Sequence, residues 1–176
     1  MKSIYLIFLS LSLIYSCQTP KSSNIEYNEA KPRETVSNRQ EEVNINEIRP
    51  QLNQMAEAAR NALDKREINS PTFRGIKVES LVLWSDGDNW PVMLDVTYLN
   101  NSSNPKATYY FRDSKLLAVE KAYANFTFKN NKLQVWADEK WVPLKDKTTD
   151  QWLDQENYLL KNAKKFLNAF DINYEE

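Results

Sequence analysis

The residues in this sequence with types suited to chemistry are mostly carboxylates and hydroxyls. Asp86-Gly87-Asp88-Asn89 gathers oxygen ligands on a turn, the donor type that Ca²⁺ takes. The run lacks the alternating acids and the closing bidentate Glu of a calcium loop, so Asp86 and Asp88 are weak metal candidates beside plain turn formation. No metal and no cofactor is expected. Asp138 and Glu139 are carboxylates of the kind that cleave glycosidic bonds, but neighbours on a turn diverge and water keeps both ionised. Ser114 and Lys115 could form a nucleophile and its base only if the Lys were desolvated beside the Ser, and a hairpin points adjacent residues to opposite sides. Histidine is absent, which excludes His-based triads and His-bearing zinc sites. With Gly75 and Gly87 as the only glycines, neither a phosphate-cradling loop nor a dinucleotide fingerprint can be written. The chain reads as a non-enzyme.

The single cysteine, Cys17, is a different matter. Met1-Lys2 is a short basic start, and Ile4 to Ile14 is an apolar stretch interrupted by Ser10 and Ser12. Its length suits a secretory leader and falls well short of the roughly 20 residues that span a bilayer. Ile14-Tyr15-Ser16-Cys17 then resembles the lipobox of bacterial lipoproteins, with Ile14 where Leu is usual and a bulky Tyr15. That resemblance implies a signal peptide over 1–16 and a diacylglycerol thioether on Cys17, which anchors the chain to a membrane. It also accounts for a lone thiol with no disulfide partner in the chain. Gln18, in place of Asp, implies sorting to the outer membrane, facing the periplasm.

Residues 17–43 mix both charges with Pro, Ser and Asn and carry almost no apolar periodicity, the composition of a disordered tether. From 44 to 176 the pattern is that of one α+β domain. Ile45, Ile48, Leu52, Met55, Ala59 and Leu63 recur at helical spacing, predicting a helix that ends near Arg66, with Asn44 or Asn46 as its cap. Trp152, Glu156, Leu159, Ala163, Phe166 and Phe170 predict a second amphipathic helix, started by a capping box of Thr148 and Gln151. Between them the sequence predicts a meandering antiparallel sheet of about six to seven strands, on which both helices pack. The last of these strands is the short KWVPL.

Two segments repeat, YYFRDSKLLAV (109–119) and FTFKNNKLQVW (126–136). Each predicts a hairpin around a two-residue turn, Asp113-Ser114 and Asn130-Asn131, that pairs Phe111 with Leu116 and Phe128 with Leu133. Strict alternation places Tyr109, Ala118, Phe126 and Val135 beside them, against the helices. The opposite face then carries Tyr110, Leu117, Val119, Thr127, Gln134 and Trp136. These repeated hairpins, with the lipobox-like leader, the Trp-bearing final strand and the C-terminal helix, resemble a group of small uncharacterised lipoproteins of Bacteroidota-type bacteria. The resemblance implies envelope location and fold, and no activity.

Formal net charge is −1, so no basic field exists to collect nucleic acid, and none is expected as a partner. Flat aromatics are hot-spot residues for proteins and stacking surfaces for sugars. Tyr110 and Trp136, with Thr127 and Gln134, are therefore the candidate binding face of a lipid-anchored, non-catalytic envelope module whose partner is a protein. A glycan-binding module using exposed aromatics is the alternative, followed by a carboxylate hydrolase. Sugar binding predicts an exposed aromatic platform rimmed by Asn or Asp; a hydrolase predicts a deep pocket with two convergent carboxylates. The NSS and NFT sequons at Asn101 and Asn125 carry little meaning in a bacterial envelope.

Overall fold

The computed structural model describes residues 44–99 and 105–174. Cys17, the leader, the tether and the sequon at Asn101 lie outside the described residues. The helical spacing from Ile45 produces α1 (Ile45–Ala62), capped by Asn44, whose side chain accepts from the Asn46 N–H. The chain leaves the helix at Leu63, earlier than the periodicity predicts, because Asp64–Asn69 pairs with the next long strand. Six mostly charged residues have little strand propensity of their own, so this is tertiary pairing overriding local preference. They form β1 (Asp64–Asn69), followed by β2 (Thr72–Phe73), β3 (Ile76–Ser85) and β4 (Pro91–Tyr98). The repeat supplies β5 (Lys106–Arg112), β6 (Lys115–Lys121), β7 (Ala124–Lys129) and β8 (Lys132–Ala137), and α2 (Thr149–Asn168) closes the order.

The fold is α+β with an open antiparallel sheet of eight strands, ordered β1-β3-β4-β5-β6-β7-β8 with the two-residue β2 also on β3. Strands β1 and β2 were invisible to the sequence reading. KWVPL is not a strand and contributes one isolated bridge, Ala137 to Pro143. Thr148 and Gln151 do form a capping box, at 3.2 and 3.1 Å, at the start of α2.

Both repeats are two-residue hairpins, and all four turn residues have positive φ: 50° and 59° at Asp113-Ser114, 52° and 58° at Asn130-Asn131. Those values are the type I′ geometry that matches strand twist. Each hairpin also carries a bulge at the same repeat position. Phe111 pairs with Leu116 but Tyr110 with Ala118, leaving Leu117 extra; Phe128 pairs with Leu133 but Thr127 with Val135, leaving Gln134 extra. One inserted residue exchanges the faces of everything beyond it. Ala118 and Val135 accordingly move to the face of Tyr110, and Val119 and Trp136 move to the face of Phe111.

The helices do not share a face. Leu52, Ala56 and Ala59 of α1 bury against Trp84, Met93, Tyr110 and Ala118 on one side of the sheet. On the other, α2 places Trp152, Leu159, Ala163 and Phe166 against Leu83, Leu94, Tyr109, Phe111, Phe126 and Leu133. Edge-to-face ring contacts of Phe166 with Phe73 (5.4 Å) and Tyr109 (5.8 Å) fix this second layer. Among the described residues no helix is long and apolar enough to cross a membrane.

An open sheet has two edges, and each is blunted differently. The β1 edge carries Asp64, Lys65, Arg66 and Glu67, with Lys65 and Glu67 paired at 3.2 Å. At the β8 edge α2 takes both backbone polar groups of Leu133. Its N–H donates to Glu156 Oε2 at 2.6 Å, and its carbonyl accepts from Trp152 Nε1 at 3.2 Å. Glu156 is the polar member of an otherwise apolar stripe, and it is buried because a strand N–H needs an acceptor there. Removing that acceptor strands a buried donor, so Glu156→Ala should lose about 2–3 kcal/mol of stability in urea unfolding, while Glu156→Gln, which keeps an acceptor, should lose less.

Candidate functional site

The four residues expected to form one exposed face do not converge. Tyr110 is 3% exposed and lies under α1, with its hydroxyl donating to Glu120 Oε2 at 2.7 Å. Trp136 sits on the opposite side of the sheet, 5.6 Å from the Phe126 ring and 6.3 Å from that of Trp152. Thr127 is fully buried, and Gln134 is the bulged residue, its amide donating to the Lys132 carbonyl at 3.1 Å. Two unpredicted bulges and a helix on each face account for the whole correction.

What the sheet faces do not offer, its loop end does. The β3–β4 loop and the β5–β6 turn lie side by side there and enclose two clefts of about 550 and 370 Å³. Trp90, Asp113 and Ser114 line both, so the indole and the turn form their common wall. Met55, Asp86, Val92, Phe111 and Arg112 complete the larger cleft, while Pro91, Lys115, Ile172, Asn173 and Tyr174 complete the smaller. Trp90 is 54% exposed, whereas Trp84, Trp141 and Trp152 are buried and Trp136 is partly buried.

Local bonding fixes the backbone that carries this indole. Asp86 Oδ1 accepts from the N–H groups of Asp88 (3.2 Å) and Trp90 (2.8 Å), and the Asp86 N–H donates to the Trp90 carbonyl at 3.1 Å. Asn89 takes the positive φ of 66° that closes the loop, and its side-chain oxygen accepts from Arg66 at 2.7 Å. The loop at 138–142 is built identically: Asp138 Oδ1 accepts from the Lys140 and Val142 N–H groups at 2.9 and 2.8 Å, and Trp141 holds φ 67°. Such Asp residues are turn caps, which explains the spacing of both acidic runs without a metal. Among the described residues no three His, Cys, Asp or Glu gather as a metal site.

Across the groove the Asp113-Ser114 turn is anchored from behind. The Tyr174 hydroxyl accepts from the Leu116 N–H at 3.0 Å and donates to Asn131 Oδ1 at 2.9 Å, tying the C-terminal segment to both hairpin turns. Asp113 and Ser114 both hold left-handed φ, and Ser114 does so where Gly, Asn or Asp is more usual, so the groove wall includes strained backbone at Ser114. Arg112 Nη2 lies 3.7 Å from Met55 Sδ, and neither Arg112 nor Asp113 meets an oppositely charged side chain among the described residues.

The shifted titrations lie elsewhere. Burial, then the neighbouring Glu120 carboxylate, raises the Tyr110 hydroxyl well above its ordinary value. Burial likewise pushes Tyr98 up to about 12 and lowers Lys121 to about 8. Lys121 Nζ stands 5.0 Å over the Tyr158 ring and 5.8 Å over that of Phe126, aromatic faces that offset part of its desolvation. Asn125 of the NFT sequon is buried, its amide donating to the Asp138 carbonyl at 2.8 Å.

Trp90 was the functional candidate that the sequence reading missed. The signal available was a Trp directly after a polar turn, DGDNW, where the first inward-facing strand residue has not yet begun. No protein-family model, no curated protein and no solved structure matches this chain.

Two outcomes follow from the buried polar groups. The Thr127 hydroxyl has no hydrogen-bond partner among the described residues, so the isosteric Thr127→Val should raise stability by about 1 kcal/mol in urea titration. For Lys121 the folded pKa is depressed, so between about 8 and the ordinary Lys value the unfolded chain binds more protons. Its contribution to stability therefore rises with pH across that window. The advantage of Lys121→Met over wild type should be largest at pH 7 and shrink by pH 9.5, read as the difference in urea midpoints.

Proposed function

We propose that this chain is a non-catalytic binding module of the bacterial cell envelope, anchored to the outer membrane through a lipid on Cys17 and related to the lipoproteins its leader and repeats resemble. Its contact surface is the groove at the loop end of the sheet. The observation that carries this reading is the exposed Trp90 standing as the common wall of two clefts while both sheet faces are covered by helices. Leu99, Tyr123, Val142 and Tyr158 are exposed as well, but none of them lines either cleft, and an exposed indole beside a concave surface is the kind of residue that dominates recognition.

The carboxylates argue for binding over hydrolysis. Asp86 and Asp138 each accept two loop N–H groups, and Glu156 accepts one from the edge strand. Each of these carboxylates is engaged by its own loop or by the edge strand, on separate elements of the fold, which favours a structural role over paired acid–base work. An exposed Trp serves either as an anchor in a protein interface or as a stacking surface for a sugar ring.

In-cell cross-linking of the full-length protein tests the proposal. Wild type should fractionate with membranes and capture a specific envelope component. Cys17→Ser should lose the membrane fraction, and Trp90→Ala should keep it but lose the capture. Capture unaffected by Trp90→Ala would move the contact away from the groove, and membrane association unaffected by Cys17→Ser would overturn the anchor.

A further inference from the structure

Resting on the binding-module reading, we infer that the Trp90 groove takes an oligosaccharide of at least two pyranose rings, with an acceptor substituent, an N-acetyl or carboxylate group, opposite Arg112. Three features of the groove point to this class. First, a half-exposed indole at a cleft can offer its flat π-face to the C–H face of a sugar ring, and Trp90 lines both clefts, one for each ring. Both volumes fall in the range of small-ligand sites, about 300–1,000 Å³.

Second, the rim is polar. Arg112 and Asp113 meet no oppositely charged side chain among the described residues, and the Ser114 side chain stands at the turn between the clefts. Covering these groups with an apolar side chain would remove their water without replacing it, whereas vicinal hydroxyls supply both donors and acceptors. The guanidinium fork donates to a carbonyl or carboxylate and the Asp113 carboxylate accepts from ring hydroxyls, and with Asp86 and Lys115 in the lining the groove carries two charges of each sign.

Third, the position in the fold works against a peptide added as a strand. Strand addition needs the free backbone groups of a sheet edge. The groove crosses the ends of β4, β5 and β6, whose backbones are paired on both sides, and Leu133 on the β8 edge is bonded to α2.

Isothermal titration of the full chain in detergent micelles with chitotetraose, tetragalacturonate and cellotetraose tests the inference. Chitotetraose or tetragalacturonate should bind more tightly than cellotetraose, which lacks the acceptor. Trp90→Ala should weaken the best binder about 10-fold or more, near 1.4 kcal/mol. Arg112→Gln should reduce its preference over cellotetraose, while Val142→Ala, an exposed apolar residue in another loop, should change nothing. Absence of heat with all three up to about 10 mM overturns the saccharide inference. If cross-linking of the same preparation then finds a Trp90-dependent protein partner, the binding module stands with a different occupant; if it finds none, both readings fall.

Discussion

The parity of the two hairpin bulges governs the rest of this structure. A sheet residue belongs to one face or the other, and a single extra residue exchanges the faces of every side chain beyond it. Leu117 and Gln134 make that exchange at the same place in both repeats. Because of it, Val119 and Trp136 join Phe111 and Phe126 beneath α2, while Ala118 and Val135 join Tyr110 and Thr127 on the other face. Both faces become continuous apolar or close-packed surfaces. A sheet that is apolar on both sides has to be covered on both sides, and one helix goes to each.

From that constraint the remaining features follow in order. With its faces covered and the β8 edge held by Glu156 and Trp152, the sheet presents its loop ends as the concave surface. The C-terminal segment, running back from α2, reaches the same end and fixes both I′ turns through Tyr174. Loops on a rigid scaffold are where recognition residues are usually held, and Trp90, Arg112 and Asp113 stand there on a strand ladder that does not need to move.

The sequence carried the elements well and their arrangement poorly, for separable physical reasons. Helical spacing, the Asn44 cap and the Thr148/Gln151 box are local, so both helices were readable, as were both hairpins and their Phe–Leu pairs. The strand Asp64–Asn69 was not, because only pairing with β3 makes a strand of DKREIN. Nor were the bulges, since Leu117 and Gln134 have no local signature that separates them from ordinary alternating residues. Without the bulges, strict alternation puts Tyr110 and Trp136 on a common exposed face and draws attention away from Trp90. By contrast Glu156 was conspicuous as a lone acid in an apolar stripe, and its partner, a strand N–H, is a long-range fact.

The five tryptophans sample every part of this arrangement: Trp84 and Trp141 under α1, Trp136 and Trp152 toward α2, and Trp90 at the groove. Fluorine NMR of the full chain labelled with 5-fluorotryptophan, compared in H₂O and D₂O, therefore reads the central claim that both faces are covered and the loop end is open. The account predicts that the resonance abolished by Trp90→Phe has the largest solvent isotope shift, with a smaller one for Trp136 and little or none for the other three. Full shifts at Trp84 and Trp141 would mean that α1 does not cover its face, and would contradict the account.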